Sequence, residues 1–395
     1  MSEQIELFTL PQFTFDNPIV SMIVDLEKLR VESLSFLTRY AINNPDGIFS
    51  TVKQLFKALE SVGSARIEGN NTTIAEYLIQ NEDITESDED VLEIRNIEMV
   101  ISRLDCQYKA LQKPCNKSVT ISTFEINHQF IKELHFDIVH NLHREGSGNP
   151  GSYRTKDVSI SGSSHTPPFA LSVQAYMDRL IEFINQPTPS QYDLIKIAMA
   201  HHAFTWIHPF DNGNGRTVRV LTYALMLKYG FKNFGIVMNP TAVFCADRHI
   251  YYDKLQAADT LTNEGVLVWC SYVLAAVKTG YDKTVRLADH SYVQNKIIKP
   301  SFQQLVKLGL INTSNELQIM EKISTLTTFK KSDILEYCNN DKAASRKLTE
   351  LRERNFIELV KDGGKLYQFN YNNRIFLRVV AEQLAKEDML PRNVV

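Results

Sequence analysis

Cysteine is sparse in this 395-residue chain. The five present (Cys106, Cys115, Cys245, Cys270, Cys338) are dispersed, and no two are spaced as a CxxC pair. That argues against a disulfide framework and against a Cys-rich zinc site. Charge of one sign is equally scarce: 43 Lys and Arg stand against 46 Asp and Glu, a net −3. The chain as a whole is therefore not an electrostatic binder of nucleic acid or membrane, and any such patch must be local. Long apolar runs are missing too. The longest, Val266 to Val277, is interrupted by Ser271 and falls short of the roughly 20 residues that span a bilayer. The first residues, MSEQIELFTL, lack a basic start followed by an apolar core. No repeat of 20 to 50 residues is visible. These absences lead us to expect a soluble, cytoplasmic protein with no membrane partner. What is present is ordinary for a globular chain, 44% hydrophobic and 23% charged, with a length that allows two or three domains of roughly 150 residues each.

The patterning divides the chain into five segments. Residues 1–118 read as an N-terminal helical region, with apolar residues at helical spacing over Ile23 to Tyr40 and Val52 to Leu59. Its acidic stretch 81–93 carries seven carboxylates and reads as a solvated helix start, with Ser87 and Asp90 as its cap. Residues 119–278 form a denser core. A long helical pattern, Ser122 to Leu142, is broken by Gly146, Gly148, Pro150 and Gly151. Alternation over YRTKDVSISG, with Val158 and Ile160 on one face and a turn at Gly162, predicts a β-hairpin. Helices follow over Val173 to Ile184, over Tyr192 to Trp206 (announced by Ser190 with Asp193 as its capping partner), and over Arg216 to Tyr229. Residues 279–312 read as a connecting helix. Residues 313–374 read as three helices and a hairpin turning at Asp362-Gly363-Gly364, a winged helix-turn-helix. Residues 375–395 read as a terminal helix with a loose tail.

The chemistry concentrates in IHPFDNGNGRTVR, Ile207 to Arg219. Gly213-Asn214-Gly215 permits the positive φ angles that turn successive N–H groups toward one anion. The next helix starts there and adds its partial positive charge. Arg216 and Arg219, three apart, share a helix face and can each grip phosphate oxygens. His208 at the mouth can take a proton near neutral pH. Any one of these features alone is a turn, a helix face or a packed histidine; their occurrence together defines a phosphate site beside a base. His201 and His202 we assign to packing.

The segment His208 to Arg219 resembles the signature of the Fic (Fido) family, H-x-F-x-D/E-G-N-G-R-x-x-R. The resemblance implies a mainly α fold: a Fic/Fido helical core with a β-hairpin flap, here 151–168, that aligns an extended target by strand addition. It implies protein adenylyltransferase activity, the transfer of AMP from ATP to a Ser, Thr or Tyr hydroxyl of a protein, this chain included. His208 would deprotonate that hydroxyl and Phe210 would anchor the loop. Gly213, Asn214 and Gly215 would cradle the phosphates, with Thr217 and Val218 at the helix start. Arg216 and Arg219 would hold the β- and γ-phosphates. Tyr251 and Tyr252 would line the nucleoside pocket, with Val158 and Ile160 on the flap. The sequence departs from the signature at Asn212, where the family carries the carboxylate that holds Mg²⁺. A neutral amide oxygen is a poor Mg²⁺ ligand, so Mg²⁺ is expected to be held largely by the nucleotide. Asn212→Asp is then expected to raise Mg²⁺-dependent transfer.

Upstream, Ser64-Ala65-Arg66-Ile67-Glu68-Gly69-Asn70 resembles the family's inhibitory motif, S/T-x-x-x-E-G/N. It also reads as a helix end closed by Gly69. The resemblance implies that Glu68 pairs with Arg219, occupies the γ-phosphate position and leaves ATP misaligned, and it is compatible with a homodimer. Other donors such as UTP, or reversal by hydrolysis, stay open. The third helix of the C-terminal segment carries five basic residues against two acidic ones, while residues 313–374 carry eleven against nine. Winged helices bind DNA through such a helix and also dock proteins. The alternative to an enzyme is accordingly a nucleotide-responsive DNA-binding regulator.

Overall fold

A computed structural model describes residues 6–40, 46–80, 88–111, 125–160, 162–233, 236–237, 240–287, 289–311, 313–361 and 363–395. Among these, the secondary structure is overwhelmingly helical. The N-terminal region supplies α1 (Pro18–Tyr40), α2 (Asp46–Ile67), α3 (Ile74–Gln80) and α4 (Glu89–Leu111). The core supplies α5 (His128–Val139), α6 (Val173–Asn185), α7 (Asp193–Ile207) and α8 (Asn214–Lys228). A two-residue ladder, β1 (Lys232–Asn233) with β2 (Ile236–Val237), leads to α9 (Thr241–Ala246), α10 (Arg248–Asp259) and α11 (Asn263–Leu287).

Helix α7 is the centre of the bundle. Leu194 through Phe204 are buried on every side, as expected of a helix with apolar residues all round. Helices α6, α8, α10 and α11 pack about it. Its interior polar groups are matched: Trp269 donates its indole N–H to the Ala198 carbonyl at 2.7 Å, and His202 pairs with Asp259 at 2.9 Å. His201 lies between the Thr222 and Tyr251 hydroxyls. The assignment of both histidines to packing thus agrees with the structure.

Several expectations need correction. Helix α5 starts at His128 rather than Ser122 (residues 122–124 lie outside those described), because Asn127 caps it by accepting the Phe130 N–H. Ser87 also lies outside the described residues. Asp193 does not cap α7; its carboxylate takes Arg30 of α1 at 3.0 Å, and a 3₁₀ turn, Ser190–Tyr192, leads in. The 151–168 segment turns at Gly162 (φ +76°), where Ser163 N–H bonds the Ile160 carbonyl. No ladder joins its two arms among the described residues. The segment is fastened to other parts of the molecule instead: His165 meets the Trp206 carbonyl and Ser164 accepts from Gln256. Val158 and Ile160 do alternate in burial with exposed Asp157 and Ser159.

Helix α11 runs on to Leu287, so residues 279–312 are not one connecting helix. A single turn α12 (His290–Tyr292), a π-helical stretch and α13 (Lys299–Lys307) complete them. The C-terminal segment shows α14 (Ser314–Ile323), a helix of 3₁₀ type at Lys331–Tyr337, α15 (Asp341–Glu353), and β3 (Ile357–Leu359) antiparallel to β4 (Tyr367–Phe369). Two of the four basic residues of α15 are held in ion pairs. Buried Glu316 takes Lys347 and, just past the helix end, Arg354, while Glu350 takes Arg346 and Lys347. Helix α16 (Arg374–Lys386) packs on α3 and α2, and the terminal turn Arg392–Val394 packs on α2. Leu390 and Val394 are buried, so the expected loose tail is docked.

Candidate active site

Pro209 makes continuation of α7 costly, and the chain leaves it at His208. There φ is +51°, a left-handed conformation uncommon outside glycine. His208 N–H still bonds the Phe204 carbonyl at 2.9 Å. Two residues on, Phe210 is fully buried and stacks on His135 at 3.7 Å, with the rings within 2° of parallel. Asn214 closes the loop from both sides: its amide oxygen accepts the Phe210 N–H and its NH₂ donates to the Phe210 carbonyl, each at 2.9 Å. Gly213 (φ +74°) admits no side chain, since a Cβ would lie 2.7 Å from Val139. As at any helix start, the first N–H groups of α8 lack intrahelical acceptors. The Thr217 N–H finds one, on Gly213, at 3.0 Å.

A carboxylate lies over that helix start. A Cβ built on Gly215 would stand 2.1 Å from Glu68 Oε1. The same oxygen accepts from Arg219 Nη2 at 2.6 Å. Arg219 is 2% exposed and donates also to the Ser64 hydroxyl and carbonyl, each at 2.9 Å. Burial alone would raise the Glu68 pKa, but Arg219 and Arg216 outweigh it and hold the carboxyl below its ordinary value. Helix α2 delivers Glu68 by a Schellman ending: Asn70 N–H bonds Ala65 O at 3.2 Å, Gly69 N–H bonds Arg66 O at 3.1 Å, and Gly69 has φ +110°. The helix closure and the Glu68–Arg219 pair expected at this motif are therefore both present.

Other predicted residues are placed differently. Arg216 is engaged within the protein, with Nη1 on Glu93 Oε1 and Nη2 on the Glu145 carbonyl, both at 2.7 Å. Its Nε is buried with no partner, an N–H still open to an acceptor. Thr217 and Val218 turn inward: the Thr217 hydroxyl bonds Gly213 O, and Val218 is fully buried. Their side chains do not face the cradle. Tyr251 is 1% exposed with its hydroxyl on His201, so it packs behind the site rather than lining an open pocket. Tyr252 is 45% exposed. Asn212 donates to Gly146 O and accepts the Gly213 N–H, and both oxygens of Asp211 are bonded, to Ser147 and to Gly148. Among the described residues no three acids, histidines or cysteines gather for a metal. A lone engaged amide oxygen does not fit protein-held Mg²⁺.

Sequence reasoning missed three supports. Arg154 bridges the 151–168 segment to the loop, donating to His208 O at 2.8 Å, Lys156 O at 3.1 Å and Pro168 O at 2.5 Å. Glu93 holds Arg216. His135 accepts the Gly151 N–H on Nδ1 and faces Asn212 O with Nε2, which sets a neutral imidazole protonated on Nε2. No local pattern marks any of them.

Burial lowers the pKa of His208 to about 4, with the Thr205 carbonyl pulling the other way. His208 is accordingly a neutral base at pH 7. Burial also lowers His135 from 6.5 to about 4, and a proton on its Nδ1 would face the Gly151 N–H. Unfolded, this histidine binds its proton near pH 6.5; folded, only near 4. Its contribution to stability is complete above pH 6.5 and is lost as pH falls toward 4. Urea unfolding from pH 7 to 4 should show an acid-side loss of which His135 carries roughly 3 kcal/mol. His135→Gln should flatten that slope; an unchanged slope would contradict the assignment.

Residues 125–226 match the Fic/DOC family model. The chain is 30% identical over 134 residues to protein adenylyltransferase Fic of Nematostella vectensis, covering 32% of this chain and 29% of that protein. It is 34% identical over 116 residues to protein adenylyltransferase Fic of Aedes aegypti, covering 29% and 21%. The matched region therefore spans less than a third of these curated relatives. A Fic domain containing signaling protein from Bacteroides thetaiotaomicron superposes with a TM-score of 0.49 at 18% identity, covering 66% of this chain and 96% of that one. No helix among the described residues is long and apolar enough to cross a membrane.

Proposed function

We propose that the chain is a self-inhibited protein adenylyltransferase that transfers AMP from ATP to a protein hydroxyl, its own included. One observation carries the reading: the Glu68 carboxylate stands over Gly215 at the start of α8 and pairs with Arg219. A helix N-terminus with a buried arginine is an anion site, and here the chain's own acid fills it. With Glu68 withdrawn, a terminal phosphate takes its place on Arg219, and the open Nε of Arg216 meets a phosphate oxygen.

His208 then accepts the proton of the target hydroxyl. The hydroxyl oxygen bonds the α-phosphorus, the bond from that phosphorus to the β-bridging oxygen breaks, and pyrophosphate leaves with the electron pair. Because phosphoryl transfer depends on alignment, an acid in the terminal-phosphate position slows the reaction without needing to exclude ATP. Mg²⁺, where it takes part, arrives on the nucleotide. The 151–168 segment, fastened by Arg154 beside His208, presents the target. The pairing of Arg346, Lys347 and Arg354 with Glu316 and Glu350 favours a structural or protein-docking role for the C-terminal segment over DNA binding.

The test is incubation of the full chain with α-labelled ATP, GTP, CTP and UTP, with and without Glu68→Gly. Label from ATP on protein, strongest in the variant, is expected. Label only from UTP would replace the donor, and none from any nucleotide would overturn the reading.

A further inference from the structure

The two arginines of the site are held by two different acids, and Asn70 joins those acids. Arg219 rests on Glu68, and Arg216 rests on Glu93 Oε1. Asn70 lies two residues past Glu68 and donates its Nδ2 to Glu93 Oε2 and to the Asp90 carbonyl, both at 2.8 Å. It is 7% exposed and Glu93 2%. Apart from the Glu68–Arg219 pair and the backbone bonds that end α2, two further ties of this loop are exposed or long: Arg66 to the Asn71 carbonyl at 3.0 Å, and the Tyr252 hydroxyl to the Ile67 carbonyl at 3.4 Å. A cavity of about 210 Å³ adjoins, lined by Glu68, Asn70, Asp90, Glu93, Arg144 and Glu145. The loop therefore has space to enter once its anchor is released.

We propose that Asn70 is a positioning residue for Glu68, and that Asn70 and Glu93 form a latch through which Arg216 and Arg219 are sequestered together. The inference rests on the transferase reading and deepens its regulation. A hydrogen bond to a buried carboxylate is stronger than one between neutral groups. Glu93 accepts two such bonds at once, one from each side of the latch. Loss of the Asn70 bond frees the Glu68 loop from α4. Displacement of Arg216 by a phosphate oxygen leaves Glu93 without its cation and so loosens the same anchor.

Asn70→Asp is the sharpest probe. It keeps the side-chain size and the acceptor for the Thr72 N–H at 2.9 Å, removes the donor, and sets a carboxylate against Glu93. Asn70→Ala removes both. In the full chain, each should raise self-labelling from ATP about tenfold, the scale of one lost hydrogen bond to a charged group. Neither should add to Glu68→Gly in the double variant, since the latch acts through Glu68. Amide exchange over residues 64–73 should speed up in both variants. Wild-type labelling and wild-type exchange in folded Asn70→Asp and Asn70→Ala would overturn the latch. So would full additivity with Glu68→Gly, which would mark Asn70 as acting elsewhere. If Glu68→Gly itself transfers no label, the transferase reading fails, and the exchange measurement alone decides whether Asn70 positions Glu68.

Discussion

Glu68→Gly should raise self-labelling from ATP by about a hundredfold, the usual cost of a reactant held roughly an ångström out of line. The direction follows from geometry. The carboxylate occupies the space above Gly215 and uses the Arg219 Nη2 hydrogen, both of which a terminal phosphate would need. Glycine at 68 takes away the acid and keeps the Schellman ending, because that ending depends on Gly69 and on backbone bonds. Adding His208→Ala should then cut labelling by about 10²- to 10⁴-fold, the range for loss of a general base. The pH profile offers a second measure. A base whose pKa is about 4 stays neutral on going from pH 8 to 5, so labelling should hold across that range and fall only as the imidazole takes its proton. A Glu68→Gly protein that labels no faster than wild type would remove the inhibitory role. Persistent labelling in the double variant would remove His208 as the base.

Phe210→Ala should destabilise the protein by about 3–5 kcal/mol, the usual cost of emptying a buried aromatic site. The ring is fully buried, stacks on His135 and lies within 6.2 Å of Phe204. His135 in turn holds the Gly151 N–H and faces the Asn212 carbonyl. The loss thus spreads from the core to both sides of the His208–Arg219 loop. Urea unfolding at pH 7 measures it. Phe210→Leu, which keeps much of the apolar volume, should recover most of the stability and little of the stacking. A change below about 1 kcal/mol for the alanine variant would show that the ring does not anchor the loop.

The His208–Arg219 loop was legible in the sequence because its pattern is local. His208, Gly213, Asn214, Arg216 and Arg219 lie within twelve positions, and helix spacing alone puts the two arginines on one face. The helix-ending role of Gly69 was legible for the same reason. What was not legible is who answers those residues. Arg216 meets Glu93 across 123 positions, and the Asn212 carbonyl meets His135 across 77. Such pairings depend on how helices stack, and no periodicity encodes them. Among the described residues the hairpin expected at 151–168 forms no ladder, for a related reason. Alternation records which side chains are covered, and here Val158 and Ile160 are half-covered without a partner strand, while Arg154 bonds carbonyls of the loop and of the segment itself. Tyr251 was misplaced because an aromatic at helical spacing looks alike whether it lines a pocket or fills the core behind one.

The docking of α16 and the last turn onto α2 and α3 bears on how the chain is made. Positions 74 and 374 are three hundred residues apart and end in the same packed layer. At roughly 5–20 residues per second of synthesis, α2, which carries Ser64 and ends just before Glu68, and α3 wait tens of seconds for their final cover. During that interval the faces of α2 and α3 that α16 and the last turn will cover are open to solvent on the ribosome, where a chaperone can shield them.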